Sequence, residues 1–321
     1  IYCLKNNFRN TSILENCYPE KVEYNYEDSS QLFFTTTNNN LYSFKQGTVR
    51  CLFDYKKYKK RDFLHPNAAA CLVEKRNGRY NFYDLYLDDA IAIHDITSTN
   101  PEICASKNAF TEYGVKGMIT AGNNLFIHGR VAIYRIDAGK CISNEIKHEY
   151  NADSTAGLRI YGIAKTIDNS VYYSTLNYVY KIENDKQVLL PVFNQMAFRN
   201  FDFIGKYLVG ITFDSRLILC NKVESTPAVD SITGQNCIWQ KLYPLDASHF
   251  IVSTNSQYRI ITLFPADDKP KCSVLTIENP FIPLEAEAIC SDGRDCHFFK
   301  NGSVTTIDMK SLLVRSAPPT L

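Results

Sequence analysis

An all-β fold built from one repeated antiparallel unit is what this sequence predicts, and three observations predict it. Aromatic and β-branched residues are dense, with 21 Tyr and 19 Phe in 321 residues, and these types suit a half-buried pleated surface. Gly, Asn and Asp punctuate the chain into short apolar pieces. Helical signals are nearly absent: residues 102–110 and 191–199 are too short and too poorly capped to read as helices.

The clearest unit runs over residues 162–193 and contains "DNSVYYSTLNYVYKIENDKQVLLPVF". Residues 162–167, 171–176, 178–182 and 187–193 read as four strands joined by short turns at Asp168-Asn169-Ser170 and Asn184-Asp185-Lys186, which makes an antiparallel meander. One such sheet cannot bury both of its faces, so it needs neighbours. The layout recurs in "LFFTTTNNNLYSF", "YNFYDLYLDDAIAIHDI", "NLFIHGRVAIYRID", "VYYSTLNYVYKIE", "YLVGITFDSRLILC", "SHFIVSTNSQYRIITLF" and "CHFFKNGSVTTIDM". First turns are expected near Ser29, Asn77, Gly122, Asp168, Gly205, Asp246 and Asp292, which lie 37 to 48 residues apart. Four strands per copy at that period point to propeller blades: a seven-bladed β-propeller, with six blades as the alternative because the second copy is the least regular.

A β-sandwich would need three domains here, and no Pro/Gly/Ser-rich linker separates them. Residues 1–321 are therefore expected to form a single domain. Its ring needs closure, and residues 1–20 are the expected N-terminal segment, with 1–8 adding an outer strand to a last blade whose final strand would be 311–316.

Over residues 22–314 the chain resembles the β-propeller superfamily of extracellular type, without pointing to one family. The copy "VYYSTLNYVYKI" is similar to the Tyr-Trp-Thr-Asp repeats of lipoprotein-receptor propellers, with Tyr172, Tyr173 and Thr175 in step. It departs from them in lacking the Asp that stitches those blades, and the sole tryptophan, Trp239, lies elsewhere. What the resemblance implies is a fold, and a fold does not give a function.

Lys plus Arg (35) nearly balances Asp plus Glu (34), so no global field draws the chain to nucleic acid or to an anionic membrane. No apolar run is long enough for a transmembrane segment. Eleven cysteines are scattered without C-x-x-C or zinc spacing, which favours disulfides. The expected pairs are Cys3 with Cys17, Cys51 with Cys71, Cys104 with Cys141, Cys220 with Cys237 and Cys290 with Cys296, leaving Cys272 over. Sequons at Asn10-Thr11-Ser12 and Asn301-Gly302-Ser303 fit a secreted or cell-surface location, although Asn301-Gly302 is also a tight-turn signal.

Catalytic constellations are sparse. The six histidines, His65, His94, His128, His148, His249 and His297, show no metal-ligand spacing, and neither a nucleophile elbow nor a phosphate loop is present. No cofactor and no metal is expected. Asp202, with Glu285 and Glu287 on one face of a strand, could serve a channel-centred, calcium-dependent hydrolase, or simply line a water-filled channel. The connection "DYKKYKKRDFLHPN" gathers Tyr55, Lys56, Lys57, Tyr58, Lys59, Lys60 and Arg61, either as a solvated loop or as a site for an acidic protein patch, an acidic or sulfated glycan, or anionic headgroups. The leading expectation is a protein–protein interaction module, a receptor or ligand ectodomain whose loops carry specificity. A hydrolase and a structural or matrix protein are the alternatives, and nucleic acid is not an expected partner.

Overall fold

The computed structural model describes residues 8–12, 19–24, 32–36, 41–45, 48–53, 70–86, 89–96, 98, 102–106, 117–137, 142–146, 159–193, 196–221, 223, 228–232, 238–265, 270–277, 282–286, 288–300 and 303–314. Among them are 28 strands and seven four-stranded antiparallel sheets. β1 is Phe8–Ser12. Sheet I holds β2 (Pro19–Tyr24), β3 (Leu32–Thr36), β4 (Leu41–Lys45) and β5 (Thr48–Phe53); sheet II holds β6 (Ala70–Arg76), β7 (Arg79–Tyr86), β8 (Asp89–His94) and β9 (Glu102–Ser106). Sheet III holds β10 (Gly117–Ala121), β11 (Asn124–His128), β12 (Ile133–Asp137) and β13 (Ile142–Ile146). Sheet IV holds β14 (Gly162–Lys165), β15 (Val171–Ser174), β16 (Val179–Glu183) and β17 (Lys186–Leu189), and sheet V holds β18 (Phe198–Ile204), β19 (Tyr207–Thr212), β20 (Leu217–Asn221) and β21 (Ala228–Ile232). Sheet VI holds β22 (Trp239–Pro244), β23 (His249–Thr254), β24 (Tyr258–Phe264) and β25 (Lys271–Ile277). Sheet VII holds β26 (Ala288–Ser291), β27 (Asp295–Lys300) and β28 (Ser303–Asp308), and the helix α1 (Met309–Val314) follows.

The chain divides into two compact units. Residues 61–235 with 266–270 make one, which contains sheets II to V. Sheet IV shows how the period of two works there. Tyr172 and Tyr173 are adjacent, so they point to opposite faces, and both are buried. Tyr173 packs with Val171, Ile133 and Phe126 against sheet III, while Tyr172 packs with Phe198, Phe201 and Ile218 against sheet V. Each face is thus covered by a neighbouring sheet, which is why neither strand of aromatic residues reads as amphipathic.

Residues 1–60, 236–265 and 271–321 make the other unit, with sheets I, VI and VII. Tyr258, Ile260, Phe298 and Ile307 pack sheet VI on sheet VII, and Phe44, Phe299 and Val304 pack sheet VII on sheet I. The N-terminal strand β1 is the fourth strand of sheet VII and pairs Phe8 with Ile307 and Ser12 with Ser303. Residues 311–314 of the expected final strand are helical instead, and 315–316 lie outside the described residues. Asp308 accepts a hydrogen bond from the Ser311 amide at 2.9 Å, an N-cap contact, and Met309 and Leu312 turn one helical face into the core shared with sheet VI. β28 ends at Asp308 in consequence.

The expected disulfides at Cys290 and Cys296 and at Cys220 are not formed; these three are free thiols. Register explains the first pair. Cys290 lies opposite His297, and Cys296 lies opposite Ser291, so by alternation the two sulfurs project from opposite faces of sheet VII. Cys296 joins the core toward sheet VI, and Cys290 the core toward sheet I. Cys220 sits in the middle of the apolar core between sheets IV and V, where burial pushes its thiol up to about 12. Cys3, Cys17, Cys141 and Cys237 lie outside the described residues, as do the side chains of Cys71 and Cys104.

Candidate interaction site

Connectivity assigns every loop to one of two edges. In a four-stranded meander, the segment entering strand one and the turn between strands two and three lie at the same end. The turns one-to-two and three-to-four lie at the other. At the entry edge of the unit holding sheets II to V, the described segments include 129–132 of sheet III, 159–161 and 175–178 of sheet IV, and 213–216 of sheet V.

Backbone hydrogen bonds hold these segments together. The Ile160 amide donates to the Arg130 carbonyl at 2.7 Å, and the Phe213 amide to the Ala197 carbonyl at 3.0 Å. Ile160 is buried, so its neighbours Arg159 and Tyr161 face outward by alternation. The Arg159 guanidinium lies 5.2 Å from the centre of the Tyr161 ring. Tyr161 in turn meets Phe213 edge-to-face at 4.8 Å, a favoured aromatic geometry. Phe213 remains 44% exposed, at the tip of a turn that cannot easily collapse. Thr212 fixes that turn: its hydroxyl accepts from the Arg216 amide at 3.0 Å and donates to the Asp214 carboxylate. Asp214 also pairs with Arg216 at 2.8 Å, and the Thr212 hydrogen bond holds its carboxyl below the usual range.

The same device recurs in the corresponding turns of sheets IV and VI. Thr175 accepts from the Tyr178 amide at 3.2 Å, and Thr254 from the Gln257 amide at 3.2 Å. A threonine at the end of strand two, or one residue past it in sheet IV, therefore closes the two-to-three turn of sheets IV, V and VI. The resemblance of Tyr172, Tyr173 and Thr175 to Tyr-Trp-Thr-Asp repeats falls on two core rings and this turn-closing hydroxyl.

Two histidines gather hydroxyl and carboxylate partners. In sheet VI, the Asp246 carboxylate lies 2.8 Å from His249 Nδ1, and the Ser248 hydroxyl lies 3.0 Å from the same nitrogen. A Ser-His-Asp relay needs the acid and the hydroxyl on different ring nitrogens, so this is a turn clamp; Asp246 also accepts from the Ser248 and His249 amides. In sheet VII, His297 does bridge two groups, with Thr306 Oγ1 2.9 Å from Nδ1 and Asp292 3.4 Å from Nε2. His297 and Thr306 are buried, however, and Phe44 covers the imidazole edge-on at 5.4 Å. The chain of bonds ties β27 and β28 to the turn at Asp292.

The sequence-derived candidates distribute as follows. Tyr55, Lys56, Lys57, Tyr58, Lys59, Lys60 and Arg61 lie outside the described residues, as do Asn301 and Glu287. Asn10 lies in β1 opposite Thr305. Asp202 lies on β18, the first strand of sheet V, which runs beside β14. Burial raises its carboxyl to about 6, against the opposing pull of the Phe203 amide at 2.8 Å and the Lys165 charge. Glu285 is not on a strand: it occupies an exposed turn with φ 57°. Pro283 is part of the reason, because proline lacks the amide a ladder needs. Among the described residues no group of three or more His, Cys, Asp and Glu side chains gathers as a metal site. Arg159, Tyr161 and Phe213 escaped the sequence reading because they come from two loops, with Tyr161 and Phe213 52 positions apart in the chain.

No family model matches the chain, and no curated protein matches it. Solved structures do. The β-propeller domain of Cps50 (Swd1) from Myceliophteria thermophila superposes with a TM-score of 0.66 at 10% identity, over 94% of this chain and 99% of that one. The fold is a β-propeller. Virginiamycin B lyase from Staphylococcus aureus superposes on this propeller with a TM-score of 0.65 at 10% identity, over 94% and 98% of the two chains. YCF48 bound to D1 peptide does so with a TM-score of 0.63 at 8% identity, over 95% and 98%. At such identities the likeness is one of fold, and this propeller shares its architecture with an enzyme and with a peptide-bound protein alike.

Proposed function

We propose that the chain is a secreted or cell-surface protein–protein interaction module, a seven-bladed propeller in one domain, whose entry-edge loops carry specificity. The observation that carries this reading is the exposed Phe213 ring, braced by Tyr161 and by a threonine-closed turn. A large aromatic held at a fixed position on a solvent-facing edge is what interface anchors require, because little side-chain entropy remains to be lost on binding. A solved propeller structure with a bound peptide supports the choice of partner class. Seven four-stranded sheets support the blade number, and the sequons at Asn10 and Asn301 support the location. The basic loop at residues 55–61 remains a second candidate contact for an acidic protein patch or a sulfated glycan.

The test is a cell-surface binding screen with the purified chain. Binding that weakens in Phe213→Ala, with thermal stability retained, is the expected result; a screen that yields no protein partner for either form sinks the reading. A non-reducing peptide map by mass spectrometry checks the location, with glycan expected at Asn10. Among the described residues a channel-centred hydrolase draws on Asp202, whose raised carboxyl could act as an acid near neutral pH.

A further inference from the structure

We infer that Arg259 of sheet VI binds a carboxylate, free or carried by a partner protein, with Thr276 as a second donor. The site lies in the other unit from Phe213 and does not depend on the interaction reading above.

An arginine without an anion is the deciding observation. Arg259 is partly buried, its Nε is wholly buried and meets no hydrogen-bond acceptor, and among the described residues no carboxylate pairs with it. Arg135 and Arg216 do meet carboxylates, Asp185 at 2.7 Å and Asp214 at 2.8 Å. Withdrawing a guanidinium from water is unfavourable until an anion offsets its charge. What Arg259 has instead is a ring: its guanidinium carbon lies 5.2 Å from the centre of the Trp239 ring, and Trp239 is fully buried. The negative face of the indole offsets part of the desolvation, but it does not neutralise the charge.

Geometry supplies the rest. Trp239 opens β22 and Arg259 is the second residue of β24, with β23 running between those strands. Strands one and three are about 10 Å apart, so both side chains must lie over β23 to meet. That contact holds the guanidinium in place and leaves little rotamer entropy to lose on binding. Across the sheet, Arg259 stands opposite Val252 on one side and Thr276 on the other. Val252 is fully buried whereas Thr276 is exposed, so the open approach is from the β25 side, where Thr276 places a hydroxyl on the same face. One planar fork with one positive charge matches a carboxylate in shape and in charge. A phosphate dianion would bring a second charge for which this row of residues holds no cation.

The experiment uses Trp239, the sole tryptophan, as the reporter. The full chain is titrated with sodium acetate against sodium chloride at constant ionic strength, with inorganic phosphate, and with short amidated peptides of random sequence that carry one Glu or its Gln replacement. Acetate should change the tryptophan emission saturably and raise the melting temperature, whereas chloride should do neither. Arg259→Gln should weaken acetate binding about tenfold or more, and Arg259→Lys should fall between, because it keeps the charge and loses the fork. Thr276→Ala should weaken it roughly two- to threefold, and Phe213→Ala should leave it unchanged. Circular dichroism confirms that each variant folds; should Arg259→Gln not fold, Arg259→Lys and the acetate dependence of the melt carry the test. Glutamyl peptides that bind more tightly than acetate, and lose that affinity as Gln versions, would support the site and assign its carboxylate to a partner protein. Acetate binding as tight as that of any peptide would support the site and assign it to a small molecule. Phosphate that binds more tightly than acetate overturns the carboxylate. An acetate response equal in wild type and Arg259→Gln, or silence toward every carboxylate, overturns the site and leaves the interaction edge at Phe213 untouched.

Discussion

Asp202 and Gly210 show how far single positions are set by their surroundings. The Asp202 carboxyl titrates at about 6, chiefly because burial disfavours its charge. Its folded value is thus above the ordinary carboxyl range, so the folded state holds the extra proton and wild-type stability falls as pH rises from about 4 to 6, then stays level. Asp202→Asn keeps an acceptor for the Phe203 amide and removes the charge. Thermal melts should show the variant on the order of 1–2 kcal/mol more stable than wild type at pH 8 and little different at pH 4. Gly210 lies opposite Phe201 in the ladder between β18 and β19, and a Cβ there would come within 2.3 Å of the Phe198 ring. Phe198 is fully buried and cannot retreat. Gly210→Ala should therefore cost about 1–3 kcal/mol in urea unfolding, and a neutral outcome would mean that the ring has room to move.

Turns are the elements that the side chains specify most closely. Asn184 and Asp185 both adopt positive φ, at 50° and 62°, the conformation of a two-residue hairpin whose twist matches its strands; the Asn-Asp-Lys punctuation in the sequence marks it. The threonine-closed turns rest on side-chain-to-backbone bonds, which are legible only once the strand ends are known. Thr212→Val keeps the shape and deletes the hydroxyl that serves the Arg216 amide and the Asp214 carboxylate. It should cost about 1–2 kcal/mol by chemical denaturation, and Thr212→Ser should recover most of that. Asp214, Asp246 and Asp292 all have carboxyls held below the ordinary range. Their contribution is present above about pH 4 and is lost as pH falls through their lowered values, the opposite sign to Asp202.

At the scale of the molecule, β1 completes sheet VII beside β28. Removing residues 1–12 would leave β28 as an open edge with unpaired amides and carbonyls. The truncated chain should melt several degrees lower and self-associate in sedimentation velocity; an unchanged melt would show that β1 contributes no net stability. Among the described residues, cohesion elsewhere comes from sheet faces. Cys220, Cys290 and Cys296 are buried thiols inside apolar clusters, and they add packing where the cysteine count suggested cross-links.

The repeated four-strand unit, its turn positions and the burial of both faces were legible because each follows from local chemistry: turn residues at fixed offsets, apolar runs between them, and sheets too greasy to stand alone. Asn77, Gly122, Gly205 and Asp292 stand at one-to-two turns of the structure, as their spacing predicts. Spacing along the chain could not reveal on which face each cysteine projects, since that depends on a register set by the partner strand. Nor could it bring Arg159, Tyr161 and Phe213 together, because only the packing of sheet IV on sheet V carries one loop to the other. Local sequence decides what a segment can be, and the long-range pairing of strands and faces decides which side chains meet.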